Sequence, residues 1–285
     1  MIRWRNAMIF GPLVIALLAI TFNPPPAAAQ TQGEIIDEML ELSSIRQKID
    51  RISVRVKSEL DRQQHGTQNK LTPNEYDRIS KILTGSFAGS DLNQSIASYF
   101  HKHYDQDRAV AELAILHSPA NKRLRELMAW SSTPEARQKI LAYDKQLTSV
   151  PPTPERMTLI RALDQASHST AIAVEVTVST SLAVTTILNA LRPPDTQLNH
   201  DQLVELSSRM RKELWNAAEH SVIVTYLYAF RDISDAELKD FIALYKSDTA
   251  KWFRQVATEA LTVALTTATE KALGQMAGMT HRSST

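Results

Sequence analysis

The chain is predicted to be all-α, with two related helical units behind an export signal, and three observations carry that expectation. Only 7 glycines occur in 285 residues, while Leu, Ala, Glu, Lys, Arg and Gln are plentiful, so helix is the default wherever apolar spacing supports it. Apolar residues recur every three or four positions, and no convincing run alternates as a half-buried strand would. Pro73, Pro119, Pro134 and Pro154 each follow a Ser or Thr, where proline opens a helix and does not break one. With 43% hydrophobic and 22% charged residues, the chain has material for one large or two small cores, which excludes wholesale disorder. The 32 basic and 31 acidic side chains leave a formal charge of +1, so no nucleic-acid partner is expected. Zero cysteines exclude disulfides, thiolate metal sites, cysteine nucleophiles and a lipoprotein anchor.

Residues 1–29 have the three-part layout of a secretory signal. Arg3 and Arg5 precede an uncharged run over 7–22, followed by Pro24, Pro25 and Pro26 and then Ala27, Ala28 and Ala29. The run spans about 24 Å as a helix, short of a hydrocarbon core of ~30 Å. Cleavage is expected near Ala29, and the alternative is retention as an anchor. Cleavage removes two arginines and no acid, leaving 256 residues with 30 basic and 31 acidic groups. Export without cysteine fits a bacterial periplasm.

One long helix is expected over 33–62, where Ile36, Met39, Leu42, Ile45, Ile49, Ile52, Val56 and Leu60 form a single apolar stripe. A polar loop over 63–70 follows. Thr72-Pro73-Asn74-Glu75 reads as a capping box, and the same grammar recurs at Ser118-Pro119, Ser132-Thr133-Pro134-Glu135, Thr153-Pro154-Glu155 and Ser234-Asp235-Ala236-Glu237. Val150-Pro151-Pro152-Thr153-Pro154 is the densest breaker cluster after the leader, so it divides a first unit (30–150) from a second (151–285). Arg192-Pro193-Pro194-Asp195 marks an internal turn. Residues 171–191 hold one charge, Glu175, and are long enough to span a bilayer, but their Ser, Thr and Asn content favours a mostly buried helix with a polar stripe of His168, Glu175, Ser179, Thr186 and Asn189. A last amphipathic helix over 250–279 carries Phe253, Val256, Leu261, Leu265 and Leu273.

Residues 114–124 and 243–253 align at an offset of 129, matching Ala114 with Ala243, Ser118 with Ser247 and Lys122 with Lys251, while Tyr99 and Tyr228 fall on the same offset. A helix, a Ser-capped junction and a second helix occur in both, which suggests an internal duplication. Around the second copy, residues 234–251 resemble the signature of an exported bacterial family of unknown function, in which a capped Glu-Leu helix runs into an aromatic pair and a Ser-Pro-x-Gly-x-Lys turn. The first copy keeps Ser118, Pro119 and Lys122 but has Asn121 in place of Gly; the second has Asp248 for Pro and Ala250 for Gly. The likeness extends over 234–279. It implies a helical, secreted or periplasmic protein and no active site.

The chain contains no Gly-rich phosphate loop, no Gly-x-Ser-x-Gly elbow and no His-Glu-x-x-His helix. His101 with Asp105, and His103 with Asp107, are each four apart and would share a face of a continuous helix as metal ligands; the competing reading is a polar junction with Asp105 or Asp107 as a cap. Asp164 and His168 are also four apart and resemble a His–carboxylate pair, against a hydrogen-bonded stripe in a bundle. Asp37, Glu38 and Glu41 read as solvated acids of an early turn. Trp130, Trp215, Trp252, Tyr226, Tyr228, Phe230 and Tyr245 read as core anchors, with an apolar groove as the alternative. No catalytic, cofactor or metal residue is assigned, and the balance leans away from an enzyme. The sequence favours a non-enzymatic envelope interaction or structural protein with a protein partner and no membrane span after cleavage. The alternatives are a small-molecule or lipid binder using a groove between the units, and a metal-dependent hydrolase using His101, His103 or His168.

Overall fold

A computed structural model describes residues 30–66 and 71–282, with Gly66 and residues 278–282 described by their backbone alone. The expected signal sequence lies outside the described residues. Among the described residues the protein is all-α, with thirteen α-helices, one 3-10 turn at Pro194–Thr196 and no strand.

The stripe expected on one helix is broken into three: α1 (Gln32–Leu42), α2 (Ile45–Ile49) and α3 (Ile52–Gly66). The first break falls at Ser43 and Ser44, where the Ser43 hydroxyl donates to the Leu40 carbonyl and Ser44 adopts a left-handed backbone, φ 58°, and the second is a turn at Asp50 and Arg51. Serine competes for backbone groups in this way, and it ends the helix although the apolar phase continues. Ile36, Met39, Ile49, Ile52, Val56 and Leu60 are still buried together. Part of the expected loop over 63–70 is helical, because α3 runs on to Gly66.

α4 (Pro73–Ser86) starts at Thr72 with the full capping box to Glu75. α5 (Gly89–Lys102) follows after the fully buried Phe87. Gly89 is required by a close approach: a Cβ there would lie 2.6 Å from Asp50 Oδ1 and 3.1 Å from its Cα. Gly89→Ala is expected to separate α5 from α2 and to cost about 1–3 kcal/mol in urea unfolding, the usual range for overpacking.

α6 (Gln106–His117) is capped by Asp105, α7 (Pro119–Ser131) by Ser118, α8 (Pro134–Leu147) by Thr133 and α9 (Pro154–Ser167) by Thr153. α10 (Ser169–Asn189) and α11 (His200–Ala229) pack side by side, and the amide of Asn189 clamps both backbone groups of Leu198 in the turn between them. α12 (Asp235–Lys246) opens on the Ser234–Glu237 box, and α13 (Asp248–Arg282) runs longer than the sequence suggests. Its buried side is built largely from small residues, Ala250, Ala260, Ala264, Ala268 and Ala272, which let it lie close against α5 and α10.

The apolar interior forms two clusters, and the chain crosses between them more than once. The first takes side chains from α1 to α6, from the second half of α10 and from α13; the second takes them from α7, α9, α11 and α12, with Tyr143 and Leu147 of α8 against it. Ser118 alone separates α6 from α7, and Ser247 alone separates α12 from α13. Both serines are extended, at φ −58°, ψ 146° and φ −59°, ψ 152°, and both hydroxyls accept the backbone N–H three residues on at 3.2 Å. Ser118 carries the chain from the first cluster to the second, and Ser247 carries it back. α6 and α12 have the same ends at a displacement of 129 residues.

Candidate functional site

The residues considered for metal chemistry are not brought together. α5 ends at Lys102, so neither His101 and Asp105 nor His103 and Asp107 share a continuous helix. The His103 ring stacks on Tyr99 at 4.2 Å, and Asp105 accepts the Arg108 amide as the cap of α6. Among the described residues, no group of three or more His, Asp or Glu side chains converges to hold a metal ion.

Asp164 and His168 do not face each other as a pair. Asp164 accepts the backbone N–H of Thr170 at 2.9 Å and its hydroxyl at 2.7 Å, closing the start of α10. His168 is exposed in a left-handed junction, φ 57°. Further along the expected stripe, Glu175 holds Arg211 of α11 through both carboxylate oxygens (2.9 and 3.1 Å), and this pairing keeps the Glu175 carboxyl below its usual range. Asp37, Glu38 and Glu41 each reach a side chain: Arg46, His117 and Gln47 respectively.

The aromatic residues split between core and surface. Tyr226 and Phe230 are buried in the second cluster, whereas Trp215 is exposed and Trp130 is 37% exposed. Trp130 of α7 stacks on Tyr228 of α11, ring centres 5.5 Å apart, and Tyr143 of α8 meets Tyr228 edge-on at 5.3 Å. Arg231 lies over Tyr228 at 4.3 Å, and Lys139 lies over Trp130 at 5.9 Å. Two open recesses adjoin this cluster. One, of about 370 Å³, has Arg123, Trp130, Arg231 and Asp232 in its walls and lies between α7 and the end of α11; the other, of about 460 Å³, follows Tyr143 to Val150 along the end of α8. Sequence reasoning found Trp130 and Tyr228 but missed Tyr143, Lys139 and Arg231, because their contacts join three helices remote in sequence.

A second polar constellation is buried. Glu112 of α6 is 3% exposed, and its one hydrogen bond among the described residues comes from the Thr249 hydroxyl at 3.0 Å. Burial pushes its carboxyl up to about 7, against the Thr249 hydrogen bond and the field of Arg254. Arg254 Nη1 is buried with no hydrogen-bond partner among the described residues, and its guanidinium lies 5.9 Å from the centre of the Tyr245 ring. Burial raises the phenols of Tyr245 and Tyr226, the latter held by the hydroxyls of Ser167 and Ser169. These groups come from α6, α9 to α13 and line the seam between the two clusters. In the sequence, Glu112 is one acid among many; the signals are its place with Ala109, Leu113 and Leu116 on the apolar face of α6 and the buried Phe241 129 residues later.

Among the described residues one helix, α10, is long and apolar enough to cross a membrane. It packs against α3, α9, α11 and α13. Fold and site together define an all-α protein with an aromatic surface cluster and a buried polar seam. Compared with known proteins, the chain matches no family model, no curated protein and no solved structure.

Proposed function

We propose that this is an exported bacterial protein that acts by contact with a protein partner in the cell envelope, without catalysis, after removal of residues 1–29. The observation that carries this reading is the surface cluster in which the exposed Trp130 and Arg231 pack on the half-buried ring of Tyr228, with half-buried Tyr143 at its edge. Trp, Tyr and Arg are the residues that dominate binding energy at protein interfaces, because they bury large rigid area and keep a polar handle. α10 is read as a packed core helix and not as a membrane span, in keeping with Glu175 and its Ser and Thr residues. The matching ends and serine caps of α6 and α12 support descent of the chain from two copies of one helical unit.

The test is photocrosslinking in cells, with the reactive side chain at Gln146 beside the aromatic cluster or at Val54, which is exposed on α3. The expected result is a discrete protein adduct at Gln146 and none at Val54, reduced several-fold when Trp130 and Arg231 are both alanine. The same adducts at both positions, or adducts indifferent to the double substitution, would overturn the reading. The recess between α7 and α11 also favours a small-molecule binder as a second reading. Native mass spectrometry of the periplasmic protein separates the two: a retained small molecule selects the binder, and the intact mass reports cleavage near Ala29.

A further inference from the structure

Glu112 stands apart from the surface cluster, and its chemistry does not depend on that cluster. It is buried where α6 meets the first turns of α13, with a single hydroxyl as partner. An ionised carboxylate in such a place lacks the two or three donors that normally stabilise one. The nearby cation, Arg254, makes no ion pair or hydrogen bond with it, yet has a buried nitrogen without a hydrogen-bond partner among the described residues. Both groups are desolvated and neither is satisfied by the other.

Several other charged and titratable groups near α6 are engaged elsewhere. From α1, Glu38 pairs with His117 at 2.8 Å; from α7, Arg125 donates to the Leu116 carbonyl; from α12, Tyr245 faces the Arg254 guanidinium. Asp105 and Arg108 pair at the exposed start of α6. None of these supplies a second donor to the Glu112 carboxylate.

We propose that Glu112 is a proton-operated latch that fixes the first turns of α13 to α6 when neutral and loosens them when ionised. The neutral acid sits in the seam, out of water, with the Thr249 hydroxyl on one oxygen. Loss of its proton leaves an anion that water must reach, and the route to it is displacement of the turns that carry Thr249 and Arg254. Those turns follow directly on Ser247, the one-residue junction through which the chain returns to the first cluster.

The test is amide hydrogen exchange of the full chain at pH 5.5 and 8, corrected for intrinsic exchange, reading peptides over 248–258 against peptides from α4. The expected result is a fall in protection in 248–258 at pH 8 about tenfold or more beyond any fall in α4, and absent in Glu112→Gln. Equal protection at the two pH values, or a dependence that survives in Glu112→Gln, would overturn the proposal. Should that variant fail to fold, the unsubstituted protein still decides the matter: a carboxyl carbon-13 titration placing Glu112 near neutrality supports the latch, and one placing it in the ordinary range of about 4–5 sinks it.

Discussion

Alanine at Phe230 is expected to lower stability by about 3–5 kcal/mol, the range for removing a fully buried phenyl ring from a core. Phe230 is 0% exposed and lies between Tyr226 and Phe241, with ring centres 5.4 and 6.0 Å away. It also ends α11, and its carbonyl accepts a hydrogen bond from Arg156 of α9, so a collapse of the side-chain site pulls on two helices. Against a total stability of about 5–15 kcal/mol, such a loss is a large fraction of the whole. Urea unfolding measures it, as a lower midpoint at unchanged slope. Trp130→Ala, at a position more than a third exposed, should cost only about 1 kcal/mol. Equal losses at the two positions would mean that Trp130 is a core residue and that the surface cluster is not free to bind.

The second large effect is a fall in stability as pH rises from about 5 to about 8. Glu112 titrates near 7 in the folded protein and near 4.5 when unfolded. Between these values the native state holds a proton that the unfolded state has released, so stability declines with pH across that window and is flat above it. A displacement of this size corresponds to at most about 3 kcal/mol, and water reaching the carboxylate brings it to about 1–3 kcal/mol. Glu112→Gln should remove the slope and make the protein more stable than the unsubstituted chain at pH 8. Unfolding midpoints measured at intervals from pH 5 to 8 check the sign. A midpoint that climbs with pH in the unsubstituted protein, or a slope equal in both proteins, would contradict the assignment.

The start sites of the helices were legible because capping is local. Thr72, Ser118, Thr133, Thr153 and Ser234 each write their signal within four residues, and each caps a helix. The stripe from Ile36 to Leu60 was legible as a buried face but not as three helices, since a left-handed Ser44 and a turn at Asp50 and Arg51 interrupt the backbone without disturbing the apolar phase. Partner choice was not legible at all. Nothing in α7 records that its apolar side joins a different cluster from that of α6, and the small-residue side of α13 gives little periodic contrast with its threonines. The candidate sites divide along the same line. Trp130 and Tyr228 stand out by size, whereas Glu112 shows in the sequence as an acid on the apolar face of α6 and is desolvated by the helices that close over it.

The reciprocal crossings at Ser118 and Ser247 bear on the order in which the molecule can be assembled. α1 to α6 share their cluster with α13, and that helix begins more than 130 residues after α6 ends. A chain emerging from its N-terminal end therefore exposes one wall of the first cluster until almost the whole sequence is free. Such long-range closure is slow and leaves apolar surface uncovered in the interval. If the protein is threaded across a membrane, this delay is an advantage, because the early helices stay pliable enough to be moved and lock only when the final helix arrives.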